Sequence, residues 1–391
     1  MTEVSRSPIS QRVQRLSPSG IRRFFDLIQG MEGVISLGVG EPDFATPWRV
    51  REAAIYSLER GHTHYSSNYG LLSLRQQIAA HLAERYGVAY APENEVLVTV
   101  GVSEGVDLAM RALLDPGDEV IVVEPAYVSY VPCIVLAGGV PVPVATSEAA
   151  AFRVRPKDIE AKITPRTKAI VLNYPNNPTG AVMTRDELIA IAAVVRRHNL
   201  IVISDEVYDR LVYGGHRHTA FSALPGMRDS TVLLSGFSKN YAMTGWRVGY
   251  ACAPRQIIES MMKVHQYTIM CAPTPSQVAA AEALSQDKGE VEQMVTEYDQ
   301  RRRLLVQGLN AAGLSCFEPQ GAFYAFPSVK STGMNSDQFA ELLLKEERVA
   351  AVPGSAFGAS GEGYLRCCYA VSLKELEQAL DRIARFVQRH R

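Results

Sequence analysis

Long apolar runs, skewed charge and paired cysteines are all missing from this 391-residue chain, and each absence closes off a class of function. The longest apolar run, Leu188 to Val195, is far too short to span a bilayer. With 40 basic and 41 acidic side chains the formal charge is −1, so no global field draws the chain to nucleic acid or to a membrane surface. The six cysteines (133, 252, 271, 316, 367 and 368) have no CxxC spacing and no metal-ligand grouping, and read as core thiols of a reduced, intracellular protein. His62 and His64, like His216 and His218, lack the Cys or acidic neighbours a metal site needs, so no metal is expected. Repeats and low-complexity tracts are missing too. The first 23 residues hold five arginines, five serines and one glutamate, superficially like a transit peptide, but contain no apolar core for a secretory signal. The expected location is the cytoplasm.

What is present is a chain that is 47% apolar, enough for a large core and two domains. Short β-branched runs occur at Glu95–Val100, Glu119–Val123, Val140–Val144, Lys168–Leu172, Leu200–Ser204, Thr231–Leu234 and Val248–Cys252. Helix-like segments such as Ser103–Leu114, Tyr127–Ala137 and Thr184–His198 lie between them. This alternation predicts an α/β fold: a mainly parallel, doubly wound sheet covered on both faces, with ligands beyond the carboxyl ends of its strands. After about Gln286 the pattern changes to a long charged helix from Glu290 to Ala312, short strands at Gly321–Phe326 and Tyr364–Tyr369, and a closing helix from Leu373. We therefore expect a large domain over residues 46–286 and a smaller α+β domain formed by 1–45 and 287–391.

One stretch is unusually dense in chemistry: Ser235-Gly236-Phe237-Ser238-Lys239-Asn240-Tyr241-Ala242-Met243-Thr244-Gly245-Trp246-Arg247. A lysine follows an apolar strand through a small-residue turn, where desolvation lowers its pKa and makes the amine a nucleophile for a carbonyl carbon. The turn's serine hydroxyls can donate to an anion, and Arg247 is a natural phosphate anchor. An imine-forming lysine beside a phosphate clamp describes a pyridoxal 5'-phosphate site. Elsewhere, Asp205 ends a buried strand, where a bare carboxylate is costly unless it is paired. It serves as a helix cap, as half of an ion pair, or as the partner that keeps a pyridinium nitrogen protonated. Tyr208, three residues on, could reach the same ring's 3-oxygen. Gly101-Val102-Ser103-Glu104-Gly105 joins a strand to a helix, whose free amides and dipole suit a phosphate.

From Gly236 to Gly249 the chain resembles the lysine-attachment motif of class I/II aminotransferases at every specified position, and Asn177-Pro178-Thr179-Gly180 matches that family's NPTG motif. The resemblance runs from Val34 to the C-terminal helix and is strongest towards archaeal-type aromatic and broad-specificity bacterial enzymes. It implies the two-domain split above, with residues 1–30 an arm packed on a partner subunit. It implies that Lys239 carries the cofactor, that Asn177 and Tyr208 contact the 3-oxygen, and that Tyr127 stacks on the ring. Phosphate ligands would be the amides of Ser103 and Glu104, the Ser103 hydroxyl, Ser238, Arg247 and, from the neighbouring subunit of a homodimer, Tyr65. Arg366 would bind the substrate carboxylate, and Gly40 belongs to a loop that closes on substrate. Taken alone, Tyr127 reads as a core aromatic and Tyr65 as a surface-loop residue. Many relatives have a serine three residues before the lysine; this chain has Gly236.

The expected activity is transfer of an amino group from an aromatic or broad range of L-amino acids to a 2-oxo acid such as 2-oxoglutarate, by ping-pong kinetics. Aspartate-preferring relatives carry a lysine where this chain has Ser103. Carbon–sulfur β-lyases share the fold and most of these residues, and would need no oxo-acid acceptor. A ligand-sensing regulator on the same fold would carry a DNA-binding segment, and no spare basic helix-turn-helix region is present.

Overall fold

In the computed structural model, residues 7–18, 20, 28, 30–285 and 289–391 are described. Half of the expected arm, and the expected boundary at 286/287, lie outside them. The central element is a seven-stranded sheet of β2 (Val96–Thr99), β3 (Glu119–Glu124), β4 (Val140–Ala145), β5 (Thr167–Asn173), β6 (Ile201–Asp205), β7 (Thr231–Gly236) and β8 (Gly249–Cys252). Their spatial order is β2-β8-β7-β6-β5-β3-β4, and β8 alone runs against its neighbours. The interior strands are buried on both faces, which is why they read as unbroken Val/Ile/Leu runs. Helices α1 (Gly101–Leu113), α2 (Tyr130–Ala137), α3 (Arg185–Arg197) and α4 (Arg255–Thr268) accompany the sheet. Thr184 and Glu187 form a reciprocal cap at the start of α3. Helix α2 begins three residues later than the apolar pattern suggests, because the Tyr127 carbonyl is spent on a turn to the Tyr130 amide.

Both chain ends build smaller sheets. Strand β1 (Ile35–Ser36) pairs in parallel with β10 (Val349–Ala350), while β9 (Tyr324–Ala325), β11 (Val352–Pro353) and β12 (Leu365–Cys368) form an antiparallel three-stranded sheet. Two long helices, α5 (Glu290–Ala311) and α6 (Leu373–His390), pack together beside them. Helix α6 is fixed by its Ser372–Glu375 cap and buries Leu376, Ala379, Leu380, Ile383, Phe386 and Val387, a single face at helical spacing.

Register places the chemistry. Asn173 lies opposite Asp205, and Asp205 opposite Leu234, so β5 and β6 end at one level and β7 runs two residues further. Gly236 faces Gly249 across β7 and β8. A Cβ at Gly236 would stand 2.9 Å from the Gly249 Cα, and one at Gly249 would stand 2.8 Å from the Val102 amide nitrogen. The start of α1 therefore sits directly on this glycine pair, and Gly236 is required by packing, with no room for the serine of other relatives. Gly249→Ala should push α1 away and cost about 1–3 kcal/mol, as overpacking does. Denaturant unfolding would measure this, with Gly245→Ala, whose Cβ meets nothing within 4 Å, as the neutral control.

Candidate active site

A cavity of about 410 Å³ opens beyond the carboxyl ends of the central strands. Its wall includes Gly40, Ser103, Tyr127, Asn177, Asp205, Tyr208, Ser238, Lys239, Arg247 and Arg366, so ten of the twelve residues singled out from the sequence converge there. Glu104 and Tyr65 do not line it.

At one end is an anion site. As α1 begins at Gly101, its first amides have no partner within the helix. Gly101 has φ +71°, and a Cβ on it would lie 2.5 Å from Arg247 Nη2, so the missing side chain is what lets the guanidinium approach the helix start. Arg247 is itself held in the left-handed region (φ +51°), with Nη1 donating to the Thr244 carbonyl at 2.8 Å. Ser103 and Ser238 add hydroxyls to the same wall. The geometry corrects one expectation. Glu104 stands a full turn after Val100, where helical geometry commits its amide to the Val100 carbonyl. Its carboxylate turns away to the Val100 amide and to His265 Nδ1, at 2.6 Å from the latter. Val102, to which the sequence pattern assigns no role, has the free amide in its place.

The middle holds the acid and the amine. Asp205 is 4% exposed, and burial lifts its pKa to about 6, opposed by the Tyr130 hydroxyl, which donates to Oδ2 at 2.7 Å. Asn173 ties two strand ends together: its Nδ2 donates to the Asp205 carbonyl at 2.9 Å and its Oδ1 accepts the Asn177 amide at 3.0 Å. The Tyr208 hydroxyl lies 3.0 Å from that of Tyr324, and burial pushes its phenol well above the usual range. Lys239 Nζ donates to the Gly40 carbonyl at 2.6 Å. Desolvation lowers its pKa to about 8, with Arg366 and Arg247 adding to the effect and Cys368 and Glu41 opposing it. A lysine so placed is a nucleophile near neutral pH.

Arg366, on β12, completes the site. It is 3% exposed, clasped between Tyr324 and Phe357 at 4.6 and 5.0 Å from their ring centres. Nη2 donates to the Gly38 carbonyl at 2.7 Å and Nη1 to Asn177 Oδ1 at 3.2 Å, while the buried Nε has no partner. Among the described residues no carboxylate pairs with this guanidinium, so a ligand carboxylate is the natural counter-ion. Gly40 approaches closely because a Cβ there would fall 2.5 Å from the Tyr324 hydroxyl. Tyr65 is 82% exposed, away from its own chain's cavity.

Three cations (Lys239, Arg247, Arg366) against two carboxylates (Asp205, Glu41) line the cavity, a balance that calls for anionic ligands. A helix start and guanidinium for a phosphate, a desolvated amine for a carbonyl, and a buried carboxylate for a ring nitrogen together fit pyridoxal 5'-phosphate. Residues 32–383 match the family model for aminotransferase class I and II. The chain belongs to this family. It is 53% identical to the putative aminotransferase YugH of Bacillus subtilis (strain 168), over 98% of this chain and 99% of that one. Aromatic-amino-acid aminotransferase 2 of Thermococcus litoralis is 44% identical, over 97% and 98%. A solved structure described as Pyrococcus protein-A1 superposes with a TM-score of 0.96 at 46% identity, covering 97% of this chain and 98% of that one. This aminotransferase thus has the fold and the pyridoxal-phosphate dependence of its class. Among the described residues no helix is long and apolar enough to cross a membrane, and no cluster of His, Cys, Asp and Glu could hold a metal ion.

Two cavity residues carry no signal in the sequence, Tyr130 and Tyr324. Both lie in apolar segments where a tyrosine reads as core, and only tertiary packing brings them to the site. The lysine yields a direct test. In the cofactor-free protein, amine-selective labelling followed by peptide mapping should show Lys239 reacting with a midpoint near pH 8, well below exposed lysines. Because its folded pKa lies below the unfolded value, the unfolded chain binds more protons between the two. The cofactor-free protein should therefore gain stability as pH rises through that interval.

Proposed function

We propose that this aminotransferase moves the amino group of aromatic, or a broad range of, L-amino acids to a 2-oxo acid, with 2-oxoglutarate as acceptor, in two half-reactions on one site. The observation that carries the substrate reading is Arg366, a buried guanidinium with no carboxylate partner among the described residues, lining a cavity already supplied with an anion site at its other end. Arg366 holds the α-carboxylate and so fixes which bond at Cα faces Lys239. The walls left for the side chain include Tyr127, Tyr324, Val39 and Val102, with Ser103 and no further cation, which favours aromatic and apolar donors over a dedicated aspartate enzyme.

Bound pyridoxal phosphate would supply electron withdrawal from the substrate's Cα. Lys239, whose amine lies in the cavity, would take and hold the proton from the substrate's Cα. Asp205 would keep the ring nitrogen protonated, while Asn177 and Tyr208 would donate towards the 3-oxygen. Ser238, Arg247, Ser103 and the free amides at the start of α1 would hold the phosphate, and Tyr127 would cover the ring. The Gly40 carbonyl, which here accepts from Lys239, places the glycine loop where closure would shed water from the amine. The same reading takes residues 46–286 as the cofactor domain and the two chain ends as a smaller one, joined through β1 and β10. It places the enzyme in the cytoplasm.

A single-turnover experiment tests the activity. Mixed with L-phenylalanine alone, the loaded enzyme should release one equivalent of phenylpyruvate per site and stop, resuming only when 2-oxoglutarate is added. Continuous turnover of cystathionine to pyruvate and ammonia without an acceptor would instead mark a β-lyase.

The working unit is read as a homodimer with shared sites, supported by an exposed Tyr65 that does not line the cavity of its own chain. Mixing impaired Tyr65→Ala and Lys239→Ala subunits should restore activity, because one of the two sites in each mixed dimer then escapes both lesions. Mixed dimers without activity would show that Tyr65 serves its own subunit.

A further inference from the structure

Tyr130 stands at the start of α2, 2% exposed, with its ring edge-on to Tyr127 (centroids 5.5 Å apart, interplanar angle 78°). Its hydroxyl has one partner, Asp205 Oδ2 at 2.7 Å, and the donor has to be the phenol, since an ionised carboxylate only accepts. Asp205 Oδ1 accepts the Val207 amide at 3.3 Å, so each carboxylate oxygen carries one protein donor and keeps a lone pair for a ligand.

We propose that Tyr130 is a positioning residue which fixes the proton between Asp205 and the cofactor on the ring nitrogen. The inference rests on Asp205 facing that nitrogen. A buried carboxylate opposite a pyridine nitrogen can share one proton in two ways, as an ion pair or as a neutral acid beside a neutral ring. Desolvation favours the neutral pair, and at Asp205 it is the largest influence, joined by the adjacent Glu206 carboxylate. The neutral arrangement would leave the ring a poor electron acceptor. A phenol donating to Oδ2 stabilises the ionised carboxylate selectively, and so sends the proton back to the ring. Its contact with Tyr127 makes the residue a brace between the carboxylate and the aromatic that lines the same cavity. The sequence separation of 75 residues hides the pair from any local motif.

The measurement is the nitrogen-15 chemical shift of ring-labelled pyridoxal phosphate bound, at neutral pH, to the wild type, Tyr130→Phe and Asp205→Ala. The wild type should give the pyridinium position and Asp205→Ala the neutral one. In Tyr130→Phe, which keeps the ring packing, the ratio of neutral to protonated nitrogen should rise about tenfold or more, the worth of a lost hydrogen bond to a charged group. Should that variant fail to load cofactor, 4-aminophenylalanine at position 130 keeps the shape with a weaker donor, and should shift the signal in the same direction by less. A signal at the wild-type position in the substituted protein overturns the proposal and leaves Asp205's role intact. A wild-type signal in Asp205→Ala removes the premise instead.

Discussion

The site depends on two backbones touching where no side chain fits. Gly236 and Gly249 face each other at the ends of β7 and β8, and the first turn of α1 rests on them. That contact brings the amides of α1 within reach of Arg247, which follows from the same short loop as Lys239. An amine and an anion clamp thus share one rigid corner, separated by a fixed span rather than by adjustable side chains. A methyl group at either glycine would have to move backbone atoms, which a packed sheet resists.

Around that corner the electrostatics are left unfinished. Most buried charges elsewhere in the molecule are matched within the protein: Arg301 with Asp43, Arg302 with Asp299 and Glu318, Glu206 with His218. In the cavity the cations outnumber the carboxylates, and the Arg366 guanidinium leans on two aromatic faces in place of an acid. The folded chain carries this imbalance so that anions complete it on binding, and Lys239, crowded by the same cations, gives up its proton more readily.

Legibility in the sequence follows contact distance along the chain. The lysine, the arginine eight residues later and the two glycines lie within one loop, so a linear motif captures them whole. Asp205, Asn177 and Ser103 end or follow apolar strands, which places them at the carboxyl edge of the sheet, while the family resemblance supplies their expected roles. Tyr130 and Tyr324 meet their partners across 75 and 116 residues, a relation set by tertiary packing. Glu104 is misplaced for a different reason. Helix starts can be located from sequence only to within a residue or two, and an error of one moves the free amide to a neighbour.

The contact between Arg366 and Gly38 spans 328 residues, and β1 reaches β10 across a similar length. Construction order on the ribosome therefore differs from the order of use. The strands that present Asp205 and Lys239 emerge before β12, which follows them in the chain and can dock only once it folds back on the segment around Gly38. A chain caught at that stage would hold the amine and the anion corner without Arg366. Reactive parts come first, and the buried arginine beside them follows.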